Sequence, residues 1–184
     1  GSAIALRLGH AGYRVIIGTR DSAKGARVTT ELNKLLDGGA IEFTGNARAA
    51  ASADIVILTV PYAAQEVTVQ DMRAALDGKI LIDATAPLVP PKVGNVQLPL
   101  GGSAVARIQG MLGDKVRVVS AFQNVAAHKL RQLEADVQCD VLVCGDDAEA
   151  RSVARDLIMR MGLRALDAGP ICNSAAAELQ IGPA

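Results

Sequence analysis

The chain has 184 residues, a length that suits one domain. Half of the residues are hydrophobic, but only 2% are aromatic and Trp is absent, so the core must consist mainly of Val, Ile, Leu and Ala. Nineteen basic and nineteen acidic residues cancel, which argues against a nucleic-acid-binding protein or an anionic-membrane surface. No apolar run is long enough to span a membrane, and Arg7 and His10 interrupt the N-terminal pattern that a signal peptide requires.

Apolar, β-rich runs alternate with helix-like stretches along the whole chain. The predicted strands are 13–18, 40–43, 54–60, 79–84, 115–122, 140–145 and 163–169. The predicted helices are 2–11, 22–36, 47–51, 63–76, 103–112 and 147–161, with Asp21 and the pair Asp146 and Asp147 as N-caps. This alternation predicts βαβ units, and therefore an α/β fold in which helices cover both faces of a doubly wound, mainly parallel sheet.

Small and polar residues cluster where the predicted strands end, which is where parallel sheets bind ligands. These clusters are 18–20, 59–61, 83–85, 120–124 and 168–170. The segment 85–102 is rich in proline but too apolar for a linker, so we expect an ordered loop over a site. The aspartates at 146 and 147 resemble a metal pair, but a helix N-terminus explains them better, and we expect no metal site.

The stretch VIIGTRDSAK, residues 15–24, ends a strand with a hydroxyl and two cations. In a dinucleotide-binding fold, a carboxylate at this position selects NAD, whereas an arginine accommodates the 2′-phosphate of NADP. Thr19, Arg20 and Lys24 therefore predict a phosphate clamp. The alternative is an ordinary strand-to-helix turn capped by Asp21.

The chain opens with Gly1 and a helix of small, apolar residues, as a dinucleotide-binding domain does after the last glycine of its G-x-G-x-x-G loop. Gly1 would be that third glycine. We therefore expect the first strand and the first two glycines to be absent, which would leave a gap in the sheet and remove most of the pyrophosphate cradle.

The cysteines Cys139, Cys144 and Cys172 form no CxxC pair, so we expect reduced thiols in a cytoplasmic protein.

Several segments together resemble the NADPH-dependent coenzyme F420 reductases, also called F420H2:NADP oxidoreductases. The resemblance covers the chain in order and is most specific at CGDD followed by LDAGP. The matching segments are ALRLGHAGYRVIIGTRDSAK, ILTVPYAA, APLVPP, VVSAFQNVAA, DVLVCGDDAEA and LRALDAGPICNS. The resemblance implies a single Rossmann-like NADP-binding domain over residues 1–184, shortened at both ends relative to the family, and possible homodimerisation.

The resemblance also implies the chemistry, which is hydride transfer between C4 of the nicotinamide of NADP(H) and C5 of the deazaflavin F420. Both carriers move two electrons, so the protein needs to stack the two rings and exclude water, without a metal or a catalytic side chain. This agrees with the lack of an acid–base pair or nucleophile motif in the sequence.

The family's cofactor contacts fall on identifiable positions of this chain. On the NADP side they are Gly1, Thr19, Arg20, Lys24, Val60, Pro61, Val89 and Ala127. On the F420 side, Gln123 and Asn124 are the candidates, and Gln123 can hydrogen-bond but cannot carry a positive charge. Two alternatives stay open, namely another NADP-dependent reductase with an imine, acid or flavin-like acceptor, and a non-catalytic NADP-binding module or inactive fragment.

Overall fold

The computed structural model describes residues 1–36, 41–89, 96–134, 137 and 139–179. The strands are β1 (Val15–Gly18), β2 (Ile41–Thr44), β3 (Ile55–Leu58), β4 (Ile80–Asp83), β5 (Arg117–Ser120), β6 (Asp140–Gly145) and β7 (Arg164–Asp167). The helices are α1 (Ser2–His10), α2 (Ser22–Asn33), α3 (Asn46–Ser52), α4 (Tyr62–Leu76), α5 (Ala104–Leu112), α6 (Ala127–Leu130), α7 (Ala148–Arg160) and α8 (Ser174–Leu179), with a 3-10 turn at Ile171–Asn173.

Helices cover both faces of the sheet, and alternation along the central strands supplies a core to each face. In β4, Ile80 and Ile82 pack into one core, with α1, α6 and α7. Leu81, between them, packs into the other core with α4 and α5. Because successive side chains of a strand point to opposite faces, one continuous apolar run feeds both cores. The predicted α/β, Rossmann-like fold is confirmed.

The helix starts follow their capping residues. The side chain of Asp21 accepts from the backbone N–H of Lys24, and that of Asp147 accepts from the N–H of Ala150 at 2.7 Å. Asp146 instead accepts from the N–H of Ile171, which ties the start of the 3-10 turn to the end of β6. The predicted helix capping by Asp21 and by the aspartate pair is therefore confirmed for Asp21 and Asp147.

The second half of the sheet departs from a purely parallel arrangement. β3, β4 and β5 run parallel, whereas β6 is antiparallel to β5, and β7 runs parallel to β6. Among the described residues of the connection from β5 to β6, the one helix is the four-residue α6, which packs on α1. The described part of this connection holds no crossover helix along the sheet face, and β6 runs opposite to β5, since parallel pairing would require such a crossover.

A gap divides the sheet between β1 and β3. β1 pairs with β2 and β3 pairs with β4, but within the described residues no strand joins β1 to β3. A cavity of about 440 Å³ occupies the space, lined by both strands and by side chains of α1, α3 and α4. The gap predicted from the sequence is confirmed.

Arg7 of α1 is buried, with 4% of its surface exposed. Its guanidinium donates to the backbone carbonyls of Leu130, Met161 and Gln132 at 2.9–3.0 Å. One side chain therefore ties α1 to the ends of α6 and α7. None of the described helices is long and apolar enough to cross a membrane.

Candidate active site at the carboxyl ends of the strands

The sequence-predicted site residues all follow the carboxyl ends of parallel strands or, for Gly1, precede the helix that starts there. Thr19, Arg20 and Lys24 follow β1, and Val60 and Pro61 lie between β3 and α4. Val89 lies six residues beyond β4, and Gln123, Asn124 and Ala127 follow β5. One edge of the sheet thus carries the whole set, as expected for the ligand-binding edge of this fold.

The β1–α2 turn leaves its two cations available. The Thr19 hydroxyl is used within the turn, because it donates to the carbonyl of Asp21 and accepts from the N–H of that residue. Arg20 and Lys24 are exposed, and in the part of the chain that the structure describes neither has an ion-pair partner. Asp21, the nearest carboxylate, accepts from the start of α2 and leaves both cations available to an anion.

Two glycines at this edge permit close contacts that a side chain would block. A Cβ on Gly1 would lie 2.5 Å from the Thr59 hydroxyl, and a Cβ on Gly18 would lie 3.0 Å from Oδ1 of Asn46. Gly1 and Val60 line the same end of the gap in the sheet. Asn46 was not among the predicted site residues, although its position directly after β2, beside the end of β1, was a usable signal.

Gln123 is held in one orientation at the end of β5. Its Nε2 donates to the backbone carbonyl of Asp83 and to the Ser120 hydroxyl, both at 2.9 Å. Since a carbonyl can only accept, the amide cannot be flipped without losing that bond. Its Oε1 is buried and has no donor among the described residues.

The residue before Gln123 has a strained backbone. Phe122 has φ of 75° and is the one non-glycine residue in the described ranges with positive φ. For a bulky side chain this conformation costs about 1–3 kcal/mol and persists only where the surroundings impose it. The strained turn sends the chain back so that the Gln123 side chain reaches β4.

Asn124 and Ala127 are placed differently from Gln123. Asn124 Nδ2 donates to the carbonyl of Asp140 at 2.8 Å and contacts the Cys139 thiol, so this amide holds the start of β6. Ala127 is exposed and begins α6. Both lie beyond the end of β5, but the Asn124 amide donors are used inside the fold.

Asp83 ends β4 and is fully buried. Its carboxylate accepts from Nε2 of Gln65 at 2.6 Å and from the N–H of Thr85 at 2.8 Å. Burial raises the pKa of this carboxyl group, and the hydrogen bonds from Thr85 and Gln65 oppose the rise. The carboxylate therefore joins β4, α4 and the start of the proline-rich segment.

That proline-rich segment is closed at its base. Leu88 and Val96 form an antiparallel bridge, and Gln97 donates its N–H to the carbonyl of Pro87 at 3.0 Å. The predicted loop is therefore ordered at its base, up to Val89 on one side and from Val96 on the other. Its position over a site stays a prediction. Residues 90–95 lie outside the described residues.

A second buried carboxylate caps α5 from α8. Glu178 is fully buried and accepts from the Ser103 hydroxyl at 2.6 Å and from the N–H groups of Ala104 and Val105. Burial raises its pKa, and hydrogen bonds from Ser103, Ala104 and Val105 oppose the rise. Sequence reasoning missed Glu178 and Gln65. For Gln65 a signal existed, because it occupies the apolar stripe of α4 with Val69, Met72 and Leu76.

The three cysteines differ in burial, because Cys139 is half-buried, Cys144 is buried and Cys172 is exposed. Burial, together with the neighbouring charge of Asp167, raises the pKa of the Cys144 thiol to about 11. All three cysteines are unpaired. The described residues include no group of three or more His, Cys, Asp or Glu side chains placed to hold a metal.

The site residues fit an NADP molecule with respect to charge and space. A 2′-phosphate requires cationic donors and no competing carboxylate, which Arg20 and Lys24 beside the occupied Asp21 provide. The absence of side chains at Gly1 and Gly18 lets Thr59 and Asn46 approach the backbone closely at the strand ends.

Three curated relatives that are 35–37% identical to this chain share one name, F420-dependent NADP reductase. The profile of the family described as "NADP oxidoreductase coenzyme F420-dependent" matches residues 1–87. The F420-dependent NADP reductase of Methanothermobacter marburgensis is 36% identical over 97% of this chain and 83% of its own length. The reductase of the same name from Methanothermobacter thermautotrophicus is 37% identical over 97% of this chain and 80% of its own length.

A solved structure shows the same fold. A crystal structure of an Arthrobacter sp. FB24 protein superimposes with a TM-score of 0.80 at 22% identity, covering 98% of this chain and 87% of the other. Since the similarity to the curated relatives extends over nearly the whole chain, the chain belongs to the family of F420-dependent NADP reductases.

Proposed function

We propose that this protein transfers a hydride between NADP(H) and coenzyme F420, with NADP bound along the carboxyl ends of β1 and β3 and F420 beyond the ends of β4 and β5. The observation that carries the proposal is the exposed pair Arg20 and Lys24, next to a carboxylate already used as a helix cap. The relatives' name supplies the acceptor, because each is called an F420-dependent NADP reductase.

On the NADP side, Arg20 and Lys24 bind the 2′-phosphate, and the Thr19 hydroxyl shapes the turn that presents them. Gly1, Val60 and Pro61 form the wall nearest the diphosphate and the nicotinamide ribose. A guanidinium and an ammonium contact a phosphate with charge-assisted hydrogen bonds, which are about twice as strong as neutral ones. This arrangement predicts a clear preference for NADP over NAD.

On the F420 side, Val89 and Ala127 flank the space where the nicotinamide and the deazaflavin meet, and Gln123 and Asn124 lie at its polar end. When bound, the two carriers supply the redox chemistry themselves. The residues of this chain bind and orient the rings and exclude water, so an acid–base pair is not required.

Three further properties are part of the proposal. Residues 1–184 act as a single NADP-binding domain, the protein forms a homodimer, and it works in the cytoplasm. Sedimentation equilibrium of the purified chain tests the homodimer, because a monomer at micromolar concentration would contradict it.

An acceptor panel tests the function. NADPH oxidation is followed with F420, with a free flavin and with a cyclic imine as acceptors, and NADH is the matched donor control. The proposal predicts turnover with the pair NADPH and F420. Turnover with the imine alone would favour the alternative reductase, and a melting temperature raised by NADP+ without turnover on any acceptor would favour a binding module.

A further inference from the structure

Asp83 has two features that packing alone does not explain. It is fully buried in a sheet whose other buried positions are apolar or small, and its pKa is raised by that burial. A buried carboxylate costs free energy unless hydrogen bonds compensate. The hydrogen bonds that compensate here all reach elements that form the candidate cleft.

The side chain of Asp83 fixes the start of one cleft wall. The N–H of Thr85 donates to Oδ1 at 2.8 Å, which closes a turn immediately after β4. Gln65 of α4 donates to Oδ2 at 2.6 Å. Thr85 is itself 2% exposed, so the backbone that leaves β4 towards Val89 is held from its second residue onward.

The main chain of Asp83 fixes the other cleft wall. Its carbonyl oxygen accepts from the backbone N–H of Ala121 at 3.3 Å and from Nε2 of Gln123 at 2.9 Å. Gln123, which makes the second bond, directly follows Phe122 and its positive φ. Because Nε2 of Gln123 makes this bond, Oε1 is the other end of the amide. Oε1 has no donor among the described residues.

We propose that Asp83 is the positioning residue of the cofactor cleft: its carboxylate sets the path of the segment from Thr85 to Val89, and its carbonyl sets the orientation of Gln123. The proposal rests on the proposed function, in which Val89 and Gln123 lie beside the reacting rings. Asp83 does not touch the reacting atoms in this account. It acts by holding two residues that lie beside the reacting rings.

The first test is Asp83→Asn, which keeps the size of the side chain. The new amide still accepts from Thr85 through its oxygen, but its NH2 group can pair with Gln65 only if the Gln65 amide turns, which gives up the donation from Nε2 to the carbonyl of Ala104 at 3.5 Å. Asp71→Asn, an exposed aspartate on α4, is the matched control. Because ring alignment depends on positions of about 1 Å, we expect Asp83→Asn to lower kcat about tenfold to a hundredfold. The KM for NADPH should change less than about twofold, since Arg20 lies in the turn after β1 and not beside β4.

The second test exchanges donor and acceptor. In the double variant Asp83→Asn with Gln65→Glu, the amide at position 83 donates to the carboxylate at position 65, so the hydrogen bond and the single buried charge are both restored. We expect the kcat of this double variant to be about tenfold higher than that of Asp83→Asn, or equal to that of the parent chain. If Asp83→Asn does not fold, Gln65→Met removes the same hydrogen bond from the other side and should lower kcat in the same direction.

A readout that does not depend on turnover comes from amide hydrogen exchange of the protein without cofactors. In Asp83→Ala, which removes the side-chain acceptor of Thr85, the Thr85 amide should exchange at least about tenfold faster than in the parent chain, while the Ile82 amide in β4 stays within about twofold. Faster Thr85 exchange together with a kcat loss that the double variant rescues supports the proposal.

Two results would overturn it. One is a lowered melting temperature with kcat and both KM values unchanged, since Asp83 would then be purely structural. The other is unchanged Thr85 exchange. An inactive parent chain would contradict the proposed function, and the exchange measurement would still decide whether Asp83 holds the segment.

Discussion

At the scale of single residues, the proposed selectivity for NADP depends on the side chains after β1. Thr19 is occupied within its own turn, so the discrimination between NADP and NAD falls to Arg20 and Lys24. The residue types at this position were readable from the sequence. The division of work between the hydroxyl and the cations was not, because it depends on the turn geometry.

Arg20→Asp should weaken NADP+ binding about fivefold to a hundredfold, the equivalent of about 1–3 kcal/mol for a hydrogen bond between charged groups, and leave NAD+ binding nearly unchanged. Isothermal titration with both nucleotides measures the effect. Arg14→Asp, at the opposite end of β1, is the control and should change neither affinity. Equal losses for NADP+ and NAD+ would contradict the phosphate clamp.

At the scale of elements, two buried polar side chains connect helices that apolar packing alone would leave less well defined. Arg7 joins α1 to α6 and α7, and Glu178 joins α8 to the first turn of α5. Neither partner set was readable from the sequence, because the contacts cross more than 70 residues. The periodicity of α1 and α5 predicted the helices but not these connections.

Arg7→Met should lower the free energy of unfolding by about 3 kcal/mol, because it leaves buried carbonyls without their donor. Urea unfolding measures the change, and Arg160→Met, at an exposed position in the last turn of α7, is the control. A loss below about 1 kcal/mol would mean that other donors replace the guanidinium.

Glu178 should make stability depend on pH in a defined direction. Burial raises its pKa above the ordinary value of 4.5, so the folded state binds this proton more tightly than the unfolded state. The contribution of Glu178 to the free energy of unfolding is therefore largest below that ordinary value and is lost as the pH rises through the folded pKa.

The matched variant is Glu178→Gln, which cannot titrate. The free energy of unfolding of the parent chain minus that of the variant should decrease as the pH rises from about 4. Buried Asp83 contributes in the same direction in both proteins and largely cancels from the difference. Urea unfolding at a series of pH values measures it, and a difference that stays constant with pH would contradict a raised pKa.

At the scale of the whole molecule, the sequence predicted the architecture well because period and composition act locally. All seven apolar runs contain strands, and the gap between β1 and β3 followed from the helix that opens the chain. The direction of β6 could not be predicted, since it depends on how the short helix α6 packs on α1. The network around Asp83 was equally out of reach, because Gln65 and Gln123 meet it from elements distant in sequence.

The central claim is direct hydride transfer between NADPH and F420 at the carboxyl edge of this sheet. The most direct test is an incubation of the protein with F420 and NADPH deuterated at C4 of the nicotinamide, with each of the two stereospecifically labelled forms, followed by mass spectrometry of the reduced F420. The account predicts that one labelled form places one deuterium at C5 of the deazaflavin. Reduced F420 without deuterium from either form, or no reduction of F420 by NADPH, would contradict it.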